Sequence, residues 1–312
     1  MHFHPPLLFS LQTKEIMTTH SVAPPHLITK EKDLVDLSSF ISIVLAELYD
    51  HRSSTSSLST PTTATTTTRN LMQTPLVYAL KQLRRKHSRF TRSDKKEELT
   101  TEFVVAEFGC YTGGTLGQIV EYLSTTESPN SIEEEGEFYT MTKKIYGFDS
   151  FEGLPENWYN NRGKGWFNLD SKEISVPGAE IIKGWFEDTV PGFFRNMLSR
   201  ATSVLALVHI DSDLYSSAKV VLNELGKFLR ESAQFRSNEL PLYLVFDELI
   251  NYPEFENHEI KALYEFLLET DDFIQCELIG SDQRVKGGKP RFYRKNEPCD
   301  MRVLFQLLPR AK

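Results

Sequence analysis

Beyond residue 100 the chain alternates short apolar runs with stretches of helical period, and that alternation restricts its fold more than any other feature. The runs at 103–108, 144–148, 180–182, 204–210 and 242–246 lack the strict polar alternation of a half-wet strand. Strands of this kind are buried on both faces, which calls for a parallel sheet covered by crossover helices. After the fourth run Leu214, Ala218, Val221, Leu222, Leu225 and Leu229 fall on one helical stripe, and after the fifth Ile260, Leu263, Tyr264 and Leu267 do the same. The runs at 273–279 and 301–307 have no helical period between them, so they read as an antiparallel pair closing the sheet edge. The expected class is α/β with a mostly parallel sheet flanked by helices.

The first 70 residues have a different texture. Residues 1–30 carry Pro5, Pro6, Pro24 and Pro25 and read as a disordered tail. Residues 31–50 place Leu34, Leu37, Ile41, Val44, Leu45 and Leu48 at helical spacing, an amphipathic helix that packs in the core or as a lid. Of the sixteen residues 53–68, thirteen are Ser or Thr, which leaves almost nothing to bury and predicts a disordered tether across 51–70. Thr74-Pro75 then offers an N-cap and a first-turn proline for a helix running to about Ser88, opening the domain at 71–312. Two polar insertions, 125–137 and 281–298, read as loops.

Charge narrows the range of partners. With 43 acidic against 35 basic residues the net charge is −8, which excludes a general nucleic-acid surface. Eight Lys or Arg against Asp94 alone between Lys81 and Lys96 form a basic stretch, read as a solvated helix face or a site for an anionic partner. Cys110, Cys276 and Cys299 are odd in number and far apart, which predicts neither a disulfide framework nor a thiolate zinc site and points to a reducing, cytoplasmic compartment. No n-region of Lys or Arg precedes Leu7-Leu8-Phe9, so no secretory signal is expected, and no apolar run is long enough to span a bilayer.

The chemistry concentrates at the carboxyl ends of the expected strands. Glu107-Phe108-Gly109-Cys110-Tyr111-Thr112-Gly113 follows the first run and opens a helix as E-x-G-x-x-x-G, which differs from the G-x-G-x-x-G of a dinucleotide turn. Glycines let backbone approach a ligand, and Glu107 and Thr112 offer polar groups; this suits the amino-acid end of S-adenosylmethionine, or else marks a plain strand-to-helix turn. Asp149-Ser150 ends the second run, where a carboxylate can accept both hydroxyls of a ribose or cap the following loop. Gly184-Trp185-Phe186-Glu187 follows the third run with an aromatic face fit for an adenine; Trp158, Trp166 and Trp185 could instead form one apolar cluster. The fourth run ends His209-Ile210-Asp211-Ser212-Asp213 and the fifth Asp247-Glu248. Four carboxylates converging on one crevice would repel one another unless a hard divalent cation such as Mg²⁺ or basic side chains compensated them. No basic partner is evident nearby in sequence. His209, among hard oxygen donors, reads as a core or supporting histidine and not a ligand.

The strings at 147–158 (GFDSFEGLPENW), 183–191 (KGWFEDTVP), 209–222 (HIDSDLYSSAKVVL) and 245–263 (VFDELINYPEFENHEIKAL) together resemble the macrocin O-methyltransferase family of class I S-adenosylmethionine-dependent enzymes. The resemblance spans roughly residues 70–310. It implies a Rossmann-like seven-stranded sheet with an antiparallel last strand, an N-terminal helical lid, and Mg²⁺ beside the methyl donor. It further implies that Asp211, Asp247 and Glu248 hold the metal, Asp211 also touching the donor, and that Asp213 is the general base. The activity implied is methylation of a hydroxyl on a sugar or glycosylated small molecule. A catechol-type methyltransferase and an inactive donor-binding module are the alternatives. The partners expected are a hydroxylated small molecule and, in a homo-oligomer, further copies of the chain, with no nucleic acid and no membrane. The chain departs from the antibiotic-tailoring members in carrying Asp247-Glu248-Leu249 where they have an Asp-Asp pair followed by Tyr.

Overall fold

The computed structural model describes residues 26–27, 36–50, 74–90, 102–124, 143–170, 172–200, 202–237, 240–281 and 302–310. The expected tether, nearly all of the tail, and the insertions apart from residue 281 lie outside the described residues. No helix among the described residues is long and apolar enough to cross a membrane.

The expected strands form β2 (Glu102–Phe108), β3 (Lys143–Asp149), β4 (Glu180–Lys183), β5 (Ser203–Ile210), β6 (Leu242–Phe246), β7 (Ile274–Ser281) and β8 (Val303–Pro309). A two-residue strand β1 (His26–Leu27) adds an antiparallel edge to β7. The sheet runs β1-β7-β8-β6-β5-β2-β3-β4, a Rossmann-like order. The pairs β2 with β3, β2 with β5, β3 with β4 and β5 with β6 are parallel, whereas β8 is antiparallel to both β6 and β7. The antiparallel pair expected at the sheet edge is present, with β8 inserted between β6 and β7. From β2 the chain runs outward through β3 to β4, then crosses back to lay β5 on the other side of β2. That reversal opens a crevice at the carboxyl ends of β2 and β5.

Each strand from β2 to β8 divides its side chains between two cores. Val104, Ala106 and Phe108 of β2 join one apolar cluster with α4 (Phe186–Leu198), α5 (Tyr215–Glu231), the short α6 (Ala233–Arg236) and α7 (Glu259–Thr270), while Phe103 and Val105 join the other with α2 (Pro75–Phe90) and α3 (Gly114–Ser124). In β5 this alternation is broken by a bulge. Val104 pairs with Leu205 but Val105 pairs with Leu207, so Ala206 is the extra residue. The slip puts His209 opposite Glu107.

The helix starts obey local chemistry. Thr74 Oγ1 accepts from Val77 N at 3.2 Å, so the Thr-Pro pair caps α2 as its sequence requires. Asp36 caps α1 (Leu37–Asp50) in the same way, accepting from Ser39 N at 2.8 Å. Helix α1 seats Phe40, Val44 and Leu48 in the first core, with the Phe40 ring 5.6 Å from Tyr264 of α7. Arg84, in the basic stretch, lies over the Tyr122 ring of α3 at 5.5 Å, the packing of a helix face.

Gly109 ends β2 where two strand ends nearly touch. It has φ +97°, and a Cβ there would fall 1.8 Å from the Asp211 carbonyl oxygen. Gly109→Ala should therefore destabilise the fold by more than about 2 kcal/mol, because backbone must move. Gly117→Ala in α3, with open space at its Cβ, should stabilise by about 0.5–1 kcal/mol. Denaturant unfolding of both variants checks the contrast; equal stabilities would contradict it.

Candidate active site

Five loops that leave β2, β3, β4, β5 and β6 at their carboxyl ends enclose a cavity of about 260 Å³. Its lining includes Gly109 and Tyr111, Asp149 and Ser150, Trp185 and Phe186, Asp211 and Asp213, and Asp247 and Glu248. The fold thus brings eight of the sequence-predicted site positions, together with the Asp213 base candidate, to one place.

On one side stands Asp149. Its Oδ2 accepts from Tyr111 N at 2.8 Å and its Oδ1 from Phe151 N at 2.7 Å. Burial raises its pKa, and these two bonds oppose the rise. Each oxygen keeps a second lone pair, so the carboxylate can still accept two hydroxyls. Ser150 Oγ accepts from Glu152 N at 3.1 Å, which tightens the turn after β3. Trp185 and Phe186 present an aromatic wall before and at the start of α4. The three tryptophans do not gather: Trp158 packs with Tyr159 and Tyr252, Trp166 is 51% exposed, and Trp185 lines the cavity.

Other predicted positions sit apart from the lining. Glu107 is wholly buried and its Oε1 accepts from His209 Nδ1 at 3.0 Å, while its Oε2 has no hydrogen-bond partner among the described residues. Thr112 is exposed on the turn, and a Cβ on Gly113 would meet the Val176 side chain at 2.5 Å, so that glycine serves helix packing.

On the opposite side lie the carboxylates. One oxygen each from Asp211, Asp213 and Glu248 lies within 4.8 Å of the others. Burial holds Asp211 well above the ordinary carboxylate range, with the charges of Asp247 and Glu248 adding to it. Asp213 is raised likewise by burial, then by Asp211 and Glu259. An all-oxygen set of mutually repelling carboxyls fits a hard divalent cation such as Mg²⁺.

Asp247 is differently placed. Arg302 Nε binds its Oδ1, an Arg302 terminal nitrogen donates to Oδ2 at 3.3 Å, and His209 Nε2 lies 3.5 Å from Oδ1. Burial alone would raise Asp247; His209 and Arg302 outweigh it and hold the group at about 2. The basic partners not evident near these residues in sequence are thus supplied by the fold, Arg302 from 55 residues further on. His209, fully buried, would lose charge by burial, but Asp247 and Glu107 outweigh that and lift it to about 10. It supports the site from behind, as expected.

Sequence reasoning missed Tyr111, Phe167, Arg302 and Glu259. Tyr111 and Phe167 line the cavity with ring centroids 5.4 Å apart. Glu259 left one legible sign: it stands in phase with the buried stripe Leu263, Phe266 and Thr270 of α7, where an acid is out of place.

No protein-family model and no curated protein matches the chain. Among solved structures, the mitomycin 7-O-methyltransferase MmcR is similar at 9% identity and a TM-score of 0.29, over 74% of this chain and 54% of that one. The chain thus spans about half the length of that protein.

Asp149, Asp211, Asp213, Glu259 and His209 bind protons more tightly folded than unfolded, so each makes stability fall as pH rises. For Glu259 the loss runs from 4.5 to about 7, and for His209 from 6.5 to about 10. Asp247 acts only in acid, its contribution fading as pH drops from 3.8 toward about 2. Melting temperatures in EDTA should therefore decline between 6.5 and about 10, and His209→Gln should flatten that decline. A wild-type curve that matches the variant's across this window would contradict the His209 assignment.

Proposed function

We propose that the chain is an S-adenosylmethionine-dependent O-methyltransferase that uses a divalent cation such as Mg²⁺. Its acceptor would be a hydroxyl on a sugar or glycosylated small molecule. One observation carries this reading: a cavity lined on one side by Asp149, Trp185 and Phe186 has the oxygens of Asp211, Asp213 and Glu248 gathered within 4.8 Å on the other. That arrangement supports a nucleoside-bearing donor bound beside a cation.

The roles divide by chemistry. Asp149 would accept the ribose hydroxyls with its remaining lone pairs, and Trp185 and Phe186 would flank the adenine. S-adenosylmethionine supplies a sulfonium methyl, which passes to the acceptor oxygen as the carbon–sulfur bond breaks. Asp211 and Glu248 would hold Mg²⁺, which supplies a Lewis acid for the acceptor oxygen and favours the ionised form of neighbouring carboxyls. Asp213, whose oxygen lies within 4.8 Å of theirs, would add its charge to the attraction for the cation and accept the hydroxyl proton as the new carbon–oxygen bond forms. Asp247, gripped by Arg302 and His209, would steady the loop that carries Glu248. The cavity walls would hold donor and acceptor in line.

Labelled S-adenosylmethionine incubated with a crude metabolite extract should yield a labelled product that disappears with EDTA. Asp149→Ala should weaken S-adenosylhomocysteine binding by about 1–3 kcal/mol, the cost of an unmade buried hydrogen bond. Calorimetry giving wild-type affinity for that variant would remove Asp149 from the donor site, and full transfer in EDTA would remove the metal.

A further inference from the structure

The turn that carries Asp213 is conformationally unfavourable. Asp213 has φ +65°, in the left-handed region that costs a non-glycine residue energy. Asp211 N still belongs to the sheet, donating to Phe108 O at 2.9 Å, but the next two amides have left it. Both find the same acceptor. Glu259 Oε1 receives Ser212 N, Ser212 Oγ and Asp213 N, each at 3.1 Å. Glu259 is fully buried, and among the described residues its Oε2 has no hydrogen-bond partner, so the hydrogen bonds this carboxyl makes there go to the turn.

Its mounting is firm. Glu259 is the first residue of α7, where the helix dipole favours an acid, and α7 packs along α5, the helix that starts at Tyr215 just after the turn. One oxygen therefore anchors the turn to a helix whose other end belongs to the core.

We infer that Glu259 is a positioning residue, whose Oε1 holds the Ser212-Asp213 turn in its left-handed form and so keeps the Asp213 carboxylate beside Asp211 and Glu248. This deepens the proposed function and rests on it for the use made of that cluster. A relaxed turn would rotate the Asp213 side chain away and leave two amides and a hydroxyl without their acceptor.

The test is a Mn²⁺ titration of the full-length protein followed by electron paramagnetic resonance, with S-adenosylhomocysteine affinity measured alongside. Glu259→Met keeps volume and removes both oxygens; it should weaken Mn²⁺ binding about tenfold or more while donor-analogue affinity stays within about twofold. Glu259→Gln retains an oxygen acceptor and should restore Mn²⁺ binding to within about threefold of wild type. If Glu259→Met folds poorly, Ser212→Ala removes one of the three donors and should weaken Mn²⁺ binding about twofold to fivefold. A crystal structure of Glu259→Met or, failing that, of Ser212→Ala reports the turn directly. Asp213 that keeps its left-handed φ and its place beside Asp211 and Glu248 in Glu259→Met, or Mn²⁺ affinity unchanged in both variants, would overturn the inference. A wild-type protein that binds no Mn²⁺ would instead refute the cation reading, and the position of Asp213 in the variant structure would then decide the role of Glu259.

Discussion

Negative charge crowded at the carboxyl ends of buried strands is the constraint on which the rest of this structure depends. Glu107, Asp211, Asp213, Asp247, Glu248 and Glu259 lie in or against one crevice, where His209 binds Glu107 and lies against Asp247, which Arg302 also grips. A chain with no use for such a cluster would gain stability by replacing it with apolar side chains of similar volume. The fold instead sorts the carboxyls into three environments. Glu107 and Asp247 are tied to basic groups, Glu259 Oε1 takes backbone and hydroxyl donors, and Asp211, Asp213 and Glu248 face one another. In the last set neighbouring carboxylates add to the rise of Asp211 and Asp213, a repulsion that an external cation would relieve.

The sheet is built to produce that sorting. The bulge at Ala206 re-phases β5 so that His209 comes beside Glu107, and without it every later residue of the strand would face the other way. The insertion of β8 between β6 and β7 brings Arg302, just before β8, alongside Asp247, just after β6. Gly109 lets the ends of β2 and β5 approach more closely than any side chain would allow. Strain gathers at the same place. Tyr111 at φ +43° and Asp213 at φ +65° both line the cavity, and each is held by a carboxylate accepting its amide hydrogen, Asp149 for the first and Glu259 for the second.

Much of this was legible in the residues. The alternation of apolar runs with helical stripes yields five parallel strands in nearly their observed places, and Thr74-Pro75 marks the start of α2 within a residue. The cavity-lining acids were legible too, because each directly follows an apolar run. What escaped depends on long-range register. A bulge has no signature in a uniformly apolar strand such as β5, since either phase buries equally apolar side chains. The Arg302–Asp247 pair joins residues separated by a whole helix, a strand and an insertion, and nothing local in either announces the other. Glu259 escaped because its helix was read for apolar period, so an acid in the buried phase was passed over. Glu107 was read as facing a ligand because its place in the glycine turn invites that; its side chain is occupied by His209 one strand over.

The central claim is that Asp211, Asp213 and Glu248 together form a cation site beside a methyl-donor cavity. The most direct measurement is anomalous diffraction at the manganese edge from crystals of the full chain grown with Mn²⁺ and S-adenosylhomocysteine. The account predicts one anomalous peak within coordination distance of Asp211 and Glu248, with the nucleoside resting against Asp149 and Trp185. Ordered S-adenosylhomocysteine with no peak among these carboxylates would contradict it.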